Sequence, residues 1–219
     1  MEKSILIVTT NFSNINNGIQ TGVWFEEFAV PYLIFKATGY KIIVASPNGG
    51  ESPIDINSLS CSNPMEWDET GKYLKNTEKL SNIDYKQFDA IYIPGGHGPM
   101  FDLPKNKILK KIIEYMYENN KVISAVCHGV VGLISAEDEK GNSILKDKYV
   151  TCFTNKEEQI VKMKEFMPFL LQDKLIKLGA NFVEEKPWSE HVEISYNIIT
   201  GQNQNSAQLA AESIISLLN

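Results

Sequence analysis

Residues 122–133 read VISAVCHGVVGL, and this stretch decides the fold. Five apolar or small residues, a length typical of a buried strand, run directly into Cys127 and His128. Gly129 and Gly132 follow at once and permit a sharp turn with close packing into a helix, the arrangement called a nucleophile elbow. The stretch therefore predicts a strand that holds the Cys127 side chain above the edge of a sheet.

The rest of the chain alternates strand-length apolar runs with helix-length segments. This alternation is typical of an α/β fold in which a mostly parallel sheet is sandwiched by helices. The predicted strands are 4–9, 41–45, 90–93, 122–126, 149–153 and 197–200, and the predicted helices are 24–38, 105–119, 169–178 and 206–218. With 219 residues the chain is long enough for one large domain, and we interpret 1–219 as a single domain.

The region 46–84 does not follow the alternation. It is rich in polar residues and contains Pro47, Gly49, Gly50, Pro53 and Pro64. We interpret it as an irregular, cap-like excursion over the strand ends. Such an excursion either shapes a substrate pocket or is a surface loop without catalytic consequence.

Composition and charge exclude several classes of protein. Hydrophobic residues make up 43% of the chain and charged residues 22%, which is ordinary for a globular protein, and no run approaches the ~20 apolar residues of a membrane span. The net charge of −6 argues against a nucleic-acid partner. The first residues lack the pattern of a signal peptide, so we expect a cytoplasmic protein without a membrane partner.

The three cysteines are Cys61, Cys127 and Cys152, an odd number without the short spacing of metal ligands. A disulfide framework or a zinc site is therefore not expected. Cys127 would lie near the N-terminus of the following helix, where the helix dipole and free N–H groups lower the pKa of a thiol. The alternative is a buried cysteine that acts as a small hydrophobic residue, which is how we interpret Cys61 and Cys152.

Two further stretches carry residues suited to catalysis. Residues 91–100 read IYIPGGHGPM, in which N–H groups of the glycine turn could bind an oxyanion; the alternative is a tight turn only. Residues 21–31 read TGVWFEEFAVP, in which Glu26 or Glu27 faces inward. A carboxyl buried beside a thiol would have a raised pKa and could exchange a proton. The alternative is a pair of acids in a first helical turn.

The remaining histidines are less informative. His191 and Glu193 could pair on one face of a strand, which is a common coincidence, and His97 belongs to the glycine turn. With so few histidines, we do not expect a dedicated metal site that uses Cys127.

Several segments together resemble the ThiJ/PfpI family of the class I glutamine amidotransferase-like superfamily. They are TGVWFEEFAVPY, PGGHGPMFDLP, AVCHG, FTNKEEQ, PFLLQDKLIKLGA and TGQNQNSA, and they span nearly the whole chain. The resemblance is closest to the branch of Hsp31-like chaperones and glyoxalase III enzymes. It implies a flavodoxin-like sheet.

The resemblance also implies roles for individual residues. Cys127 matches the family nucleophile, His128 the histidine beside it, and Glu27 the helix glutamate that contacts the thiol. Glu158 matches the acid that orients the histidine, with neighbouring Glu157 as the alternative. Gly96 and the backbone N–H of His128 match the oxyanion hole.

This chain departs from the family pattern at two places. Gln204 stands where the family usually has proline, and Val130 and Val131 stand where small residues or proline are common. Neither place touches the proposed reactive atoms, but we expect both to influence substrate access.

The resemblance implies a cofactor-independent glyoxalase III-like lyase, a homodimer that converts methylglyoxal and related 2-oxoaldehydes into 2-hydroxy acids such as lactate. No cofactor and no metal are needed. The main alternatives are an Hsp31-like holding chaperone in stress protection, with unfolded client proteins as partners, and a protein deglycase. A glutamine amidotransferase-type hydrolase, a cysteine peptidase and a redox sensor are further alternatives.

Overall fold

The computed structural model describes residues 2–15, 18–59 and 64–219. In these ranges the strands are β1 Ser4–Val8, β2 Asn14–Ile15, β3 Ile19–Gln20, β4 Lys41–Ser46, β5 Glu78–Lys79, β6 Ala90–Ile93, β7 Val122–Val126, β8 Tyr149–Val150, β9 Asn181–Phe182, β10 Val192–Ser195 and β11 Ile198–Gly201. The α-helices are α1 Phe25–Ala37, α2 Met65–Gly71, α3 Pro99–Asp102, α4 Lys107–Glu118, α5 Asn155–Ile160, α6 Leu171–Lys177 and α7 Ala207–Leu218.

A seven-stranded sheet forms the centre, in the spatial order β10-β11-β7-β6-β1-β4-β5. All neighbouring strands run parallel except the edge pair β10–β11. The predicted α/β fold with a mostly parallel sheet is therefore confirmed. Because β6 and β7 are parallel neighbours, the loops that follow them leave the same edge of the sheet side by side.

Helices cover both faces of this sheet. Successive side chains of a strand point to opposite faces, so Ile5 and Ile7 of β1 pack in the cluster that contains residues of α1 and α7. Leu6 and Val8 pack in the cluster that contains residues of α4. All five residues of β1 are buried, as a strand covered on both faces requires.

The helices begin and end close to the predicted positions. The side chain of Asn106 caps α4 by accepting hydrogen bonds from the N–H groups of Ile108 and Leu109, both at 3.0 Å. The apolar face of α4 packs on the sheet, but Ile108 is 39% exposed and lies outside that face. Within the described residues no helix combines the length and apolarity that a membrane crossing requires.

Some short elements differ from the expectation. The strand predicted at 149–153 is only Tyr149–Val150, and it pairs with β9 in a separate small sheet. The helix predicted at 169–178 begins at Leu171. The strands β5 and β10 were not among the predicted strands, because they are short edge strands without a fully buried residue.

The region 46–84 is more regular than predicted. Its described part contains a 3₁₀ helix, Ile56–Ser58, together with α2 and β5, which extends the main sheet. Backbone hydrogen bonds attach this region to the loop before α1: Val23 N–H donates to Pro53 O at 2.8 Å, and Asp55 N–H donates to Val23 O at 2.9 Å. Part of the excursion therefore lies beside the loops at the carboxyl edge of the sheet.

Candidate active site

Three loops meet at the carboxyl edge of the central strands. The loop before α1 contacts the glycine turn after β6, because Trp24 N–H donates to Gly95 O at 2.9 Å. The turn after β6 in turn contacts the start of the segment that follows β7. These are the three stretches from which the sequence predicted catalytic residues, and they form one site, as expected at this edge of an α/β sheet.

Cys127 lies at the turn between β7 and a 3₁₀ helix, Cys127–Leu133. Its φ of 55° is in the left-handed region, a strained backbone conformation for a cysteine. The turn requires glycine two residues later, because a Cβ at Gly129 would stand 2.3 Å from the backbone oxygen of Ile93. The predicted elbow is thus present, although a short 3₁₀ helix follows it.

Two backbone N–H groups are directed at the Cys127 sulfur. They belong to Gly96 and His128, and both lower the pKa of the thiol through hydrogen bonds. Gly96 adopts a φ of 90°, and a Cβ there would stand only 2.3 Å from Gly22 O. A glycine at this position therefore lets the turn approach the loop before α1 while its N–H faces the sulfur.

The predicted low pKa of Cys127 is wrong. Burial and the nearby carboxyl of Glu27 raise the pKa of the thiol well above its ordinary value, and the N–H groups of Gly96 and His128 offset only part of this. The side chain is 4% exposed, so the thiolate would lose most of its hydration. The sequence did not reveal this burial. The thiol consequently holds its proton near neutrality and needs a base to become a nucleophile.

Glu27 lies beside the thiol and is completely buried in the first turn of α1. Its Oε2 accepts a hydrogen bond of 2.6 Å from Gly95 N–H, while Oε1 makes no hydrogen bond to the described residues. Burial raises the pKa of Glu27 to about 8, although the bond from Gly95 and the contact with Cys127 act in the opposite direction. Glu26 faces elsewhere and is only half-buried.

His128 contacts the sulfur from another side. Its Nδ1 lies 3.4 Å from Cys127 Sγ, and its Nε2 lies 2.6 Å from Glu158 Oε2. Burial lowers the pKa of His128, so the ring is neutral near pH 7. Burial alone would raise the pKa of Glu158, but the two histidine rings it contacts hold it below the usual range.

These protonation states assign the tautomer of His128. Ionised Glu158 can only accept a hydrogen bond, so the proton of the neutral ring is on Nε2. The Nδ1 lone pair then faces the sulfur and can accept the thiol proton. The order sulfur, imidazole, carboxylate is that of a nucleophile activated by a base that an acid orients.

Glu157 has a different position and does not contact His128. Its Oε2 accepts hydrogen bonds from the N–H and hydroxyl of Thr154, both at 2.9 Å. Its Oε1 accepts from Trp188 N–H at 2.9 Å, Gln202 Nε2 at 3.2 Å and Asn203 Nδ2 at 2.8 Å. Of the two neighbouring acids, Glu158 is therefore the one that reaches the site, while Glu157 connects three segments around it.

His97 is a site residue to which the sequence analysis assigned no role. Its Nε2 lies 2.9 Å from Glu158 Oε1, and its ring lies 4.3 Å from that of His128, centroid to centroid. The signal was present, because His97 belongs to the glycine turn after β6 and the ends of β6 and β7 are adjacent. The pairing of both histidines with one carboxylate could not be read from the sequence.

A small cavity of about 40 Å³ opens above the sulfur. It is lined by Trp24, Gly96, His97, Cys127, His128, Phe153, Val161, Trp188 and Gln204. A second, wider cavity of about 410 Å³ shares Trp24, His97 and Val161 with the first. One water needs about 10–15 Å³ of such space, so the inner cavity suits a molecule of a few heavy atoms.

The two departures from the family pattern have different positions. Gln204 lines the inner cavity, so it can influence access as expected. Val130 and Val131 are fully buried in the hydrophobic core and do not line this cavity. The expectation that they influence access is therefore wrong.

Among the described residues, one group of side chains has spacing suited to a metal ion. The ligand atoms of His97, His128 and Glu158 all lie within 4.8 Å of one another. The two imidazoles and the carboxylate already pair with each other, so we interpret the group as a hydrogen-bonded network.

The other predicted candidates lie outside this constellation. His191 Nε2 is 3.2 Å from Glu193 Oε1 without hydrogen-bond geometry, at the β10 edge of the sheet. Cys152 is fully buried and its thiol donates to Phe153 O. Cys61 lies outside the described residues.

Comparison with known proteins identifies chains that are similar over nearly their full length. A family model described as the DJ-1/PfpI family matches residues 19–217. Glutathione-independent glyoxalase hsp3101 of Schizosaccharomyces pombe is 32% identical, over 99% of this chain and 96% of that protein. Glyoxalase 3 of Candida albicans is 33% identical, over 99% of this chain and 98% of that protein.

A solved structure agrees with these matches. The crystal structure of glyoxalase III from Candida albicans superposes with a TM-score of 0.89 at 31% sequence identity, over 98% of this chain and 96% of that one. The similarity therefore includes the sheet, the helices and the loops that form the site.

Proposed function

Because the chain belongs to the DJ-1/PfpI family, we propose that it is a glyoxalase of the glyoxalase III type, which converts methylglyoxal or a related 2-oxoaldehyde into a 2-hydroxy acid. Of two relatives that match over nearly their full length, one is named a glutathione-independent glyoxalase and the other Glyoxalase 3. The observation that carries the proposal is the Cys127 sulfur, which borders a small cavity together with its base, His128, and has the buried acid Glu27 beside it.

The first step is attack of Cys127 sulfur on the aldehyde carbon. His128 Nδ1 accepts the thiol proton as the carbon–sulfur bond forms, which removes the need for a free thiolate. The N–H groups of Gly96 and His128 can stabilise the aldehyde oxygen as its negative charge develops. Protonated Glu27 gives that oxygen a proton, and the product is a hemithioacetal on Cys127.

The second step moves hydrogen between the two substrate carbons. The Glu27 carboxylate, now ionised, removes the hydrogen from the former aldehyde carbon and returns it to the ketone carbon. The hydroxyl proton moves between the two oxygens in the same direction. The hemithioacetal thereby becomes an isomeric thioester of the 2-hydroxy acid.

The third step is hydrolysis of the thioester. Water adds its oxygen to the carbonyl carbon, and the carbon–sulfur bond breaks with its electron pair returning to sulfur. One substrate carbon is oxidised and the other reduced by the same amount, so the reaction needs no external oxidant or reductant.

The geometry disfavours the two hydrolase alternatives. A peptide chain does not fit an inner cavity of about 40 Å³, which argues against a cysteine peptidase. The His191–Glu193 pair, which an amidotransferase-type hydrolase would need, lies at the start of the edge strand β10. The base that contacts the sulfur is His128.

The test is lactate formation from methylglyoxal by the purified protein, without glutathione or added metal. We expect wild type to form lactate and Cys127→Ala to form none. Cys152→Ala, which removes a buried thiol outside the cavity, is the matched control and should stay active. Absence of lactate with wild type, or full activity of Cys127→Ala, would contradict the proposal.

A holding-chaperone role is a separate proposal that rests on the Hsp31-like relatives. If it is correct, Cys127→Ala should still suppress aggregation of an unfolded client protein although it forms no lactate. Assembly as a homodimer in the cytoplasm is also a proposal. Light scattering of the purified protein tests the dimer.

A further inference from the structure

We propose that His97 is the general base that activates the water for hydrolysis of the thioester on Cys127. The inference rests on the proposed function, because it assigns a residue to one step of that reaction. His97 is the residue in the site to which the three steps above assign no role.

The two histidines share the Glu158 carboxylate. Glu158 uses one oxygen for each histidine, with 2.6 Å from Oε2 to His128 Nε2 and 2.9 Å from Oε1 to His97 Nε2. Since Glu158 is ionised, it accepts a proton-bearing nitrogen from each ring. The same carboxylate therefore leaves Nδ1 of both rings able to accept a proton.

The Nδ1 atoms of the two rings occupy different positions. That of His128 contacts the sulfur at 3.4 Å, and its side chain is 1% exposed. That of His97 makes no hydrogen bond to the described residues, and its side chain is 12% exposed. His128 Nδ1 is thus occupied by the thiol, whereas His97 Nδ1 is free to bind water.

Water can reach the thioester from the wider cavity. His97 lines both the inner cavity with Cys127 and the wider cavity outside it. Phe153 and Trp188 close other sides of the inner cavity with aromatic surface. Water entering from the wider cavity therefore meets His97 before it meets the sulfur.

One water proton passes to His97 Nδ1 while the water oxygen bonds to the thioester carbon. The carbon–sulfur bond breaks, and the sulfur takes the proton that His128 has held since the first step. His97 then releases its proton to solvent in the wider cavity, and Glu27 takes a proton from solvent. The second water proton leaves when the product acid ionises.

The test compares His97→Gln with wild type. Glutamine keeps an N–H that can donate to Glu158 but has no basic nitrogen. We expect kcat to fall about 100-fold, the usual size of a general-base contribution. KM should fall with it, leaving kcat/KM close to wild type, because kcat/KM reports only the steps before the thioester forms.

A chemical readout identifies the species that accumulates. Acid quenching during turnover, removal of free aldehyde and treatment with hydroxylamine should release a hydroxamate of lactate from His97→Gln in near-stoichiometric amount, and little from wild type. His191→Gln, a histidine outside the cavities, is the matched control. His97→Asn is measured in the same way if His97→Gln does not fold.

Other outcomes overturn the inference. If kcat/KM falls as far as kcat and no thioester accumulates, His97 acts only by positioning Glu158. If the variant hydrolyses the thioester as fast as wild type, His97 has no role in this step. If wild type itself forms no lactate, the failure lies with the proposed function.

Discussion

At the residue scale, Glu27 and His128 both lie beside the Cys127 sulfur. Near neutrality the carboxyl carries a proton, whereas the imidazole has a nitrogen without one. Burial acts on both, but it raises the pKa of the acid to about 8 and lowers the pKa of the base. Near neutrality the carboxyl therefore donates and the imidazole accepts. A pair of groups whose pKa values are displaced in this way is typical of acid–base catalysis.

Replacing Glu27 by glutamine separates hydrogen bonding from proton transfer. Glu27→Gln keeps a donor beside the sulfur but cannot exchange a proton with the substrate. We expect Cys127 to react with iodoacetamide about as in wild type, while lactate formation falls about 100-fold. Glu26→Gln is the control and should retain activity. Wild-type turnover by Glu27→Gln would show that His128 alone moves the proton.

The neighbouring acids Glu157 and Glu158 should respond differently to the same change. Glu158→Gln removes the charge that orients His128, so we expect kcat to fall while the unfolding free energy changes less. Glu157→Gln places an amide among backbone and side-chain donors, and we expect a loss of about 1–3 kcal/mol in the unfolding free energy. Denaturant titrations and kinetics of both variants test this. If Glu157→Gln instead lowered kcat and Glu158→Gln lowered the unfolding free energy, Glu157 would be the acid that orients His128.

Motifs in the sequence were sufficient to name the residues around the sulfur but not their electrostatics. Cys127, His128, Glu27 and Glu158 occur in recognisable patterns, and the structure brings them together. The thiol pKa was predicted in the wrong direction because burial depends on packing from distant segments. His97 was left without a role because its partner, Glu158, is 61 residues away along the chain.

At the element scale, the elbow depends on close contact between the end of β6 and the turn after β7. Gly129→Ala would place a methyl group 2.3 Å from Ile93 O, a backbone atom that cannot rotate away. We expect a loss of several kcal/mol, beyond the ~1 kcal/mol typical of a single substitution, together with loss of lactate formation.

Gly141→Ala is a control without the steric contact. Unlike Gly129, Gly141 has a positive φ of 78°, but a Cβ there meets nothing within 4 Å. Its unfolding free energy should fall by only about 1 kcal/mol, the cost of the backbone conformation alone. Equal losses in the two variants, measured by denaturant unfolding, would show that the contact with Ile93 is unimportant.

The elements that the sequence predicted well are those with continuous apolar runs. The bounds of β6 and β7 agree with the prediction, because both strands are buried on two faces and, apart from Ser124, their residues are apolar or aromatic. β5 and β10 escaped prediction because edge strands are held by backbone pairing, which leaves little trace in the side chains. Residues 150–153 are buried by packing against other segments, since only Tyr149 and Val150 pair as a strand.

At the scale of the whole molecule, the buried acid makes stability depend on pH. Because folding raises the pKa of Glu27 from 4.5 to about 8, its stabilising contribution is complete below pH 4.5 and is lost as the pH rises through 8. Glu158, whose pKa is lowered, acts oppositely and loses its contribution only in acid.

Replacing the Glu27 carboxyl by an amide should therefore make the unfolding free energy less dependent on pH. Between about pH 5 and pH 9, the unfolding free energy of Glu27→Gln should rise relative to wild type, by an amount set by ~1.4 kcal/mol for each pKa unit. Chemical denaturation at a series of pH values measures it. A difference between the two proteins that is constant with pH would mean that Glu27 is ionised throughout.

The narrow space above Cys127 has a consequence for surveys that find reactive thiols across a proteome with tagged electrophiles. A reagent must enter a space of about 40 Å³ bordered by two tryptophans before it reaches the sulfur. Iodoacetamide is small enough to do so, whereas a maleimide that carries a dye or biotin is not. In such a survey Cys127 would be counted as inert, although a two-step protocol with a compact alkyne reagent would detect it.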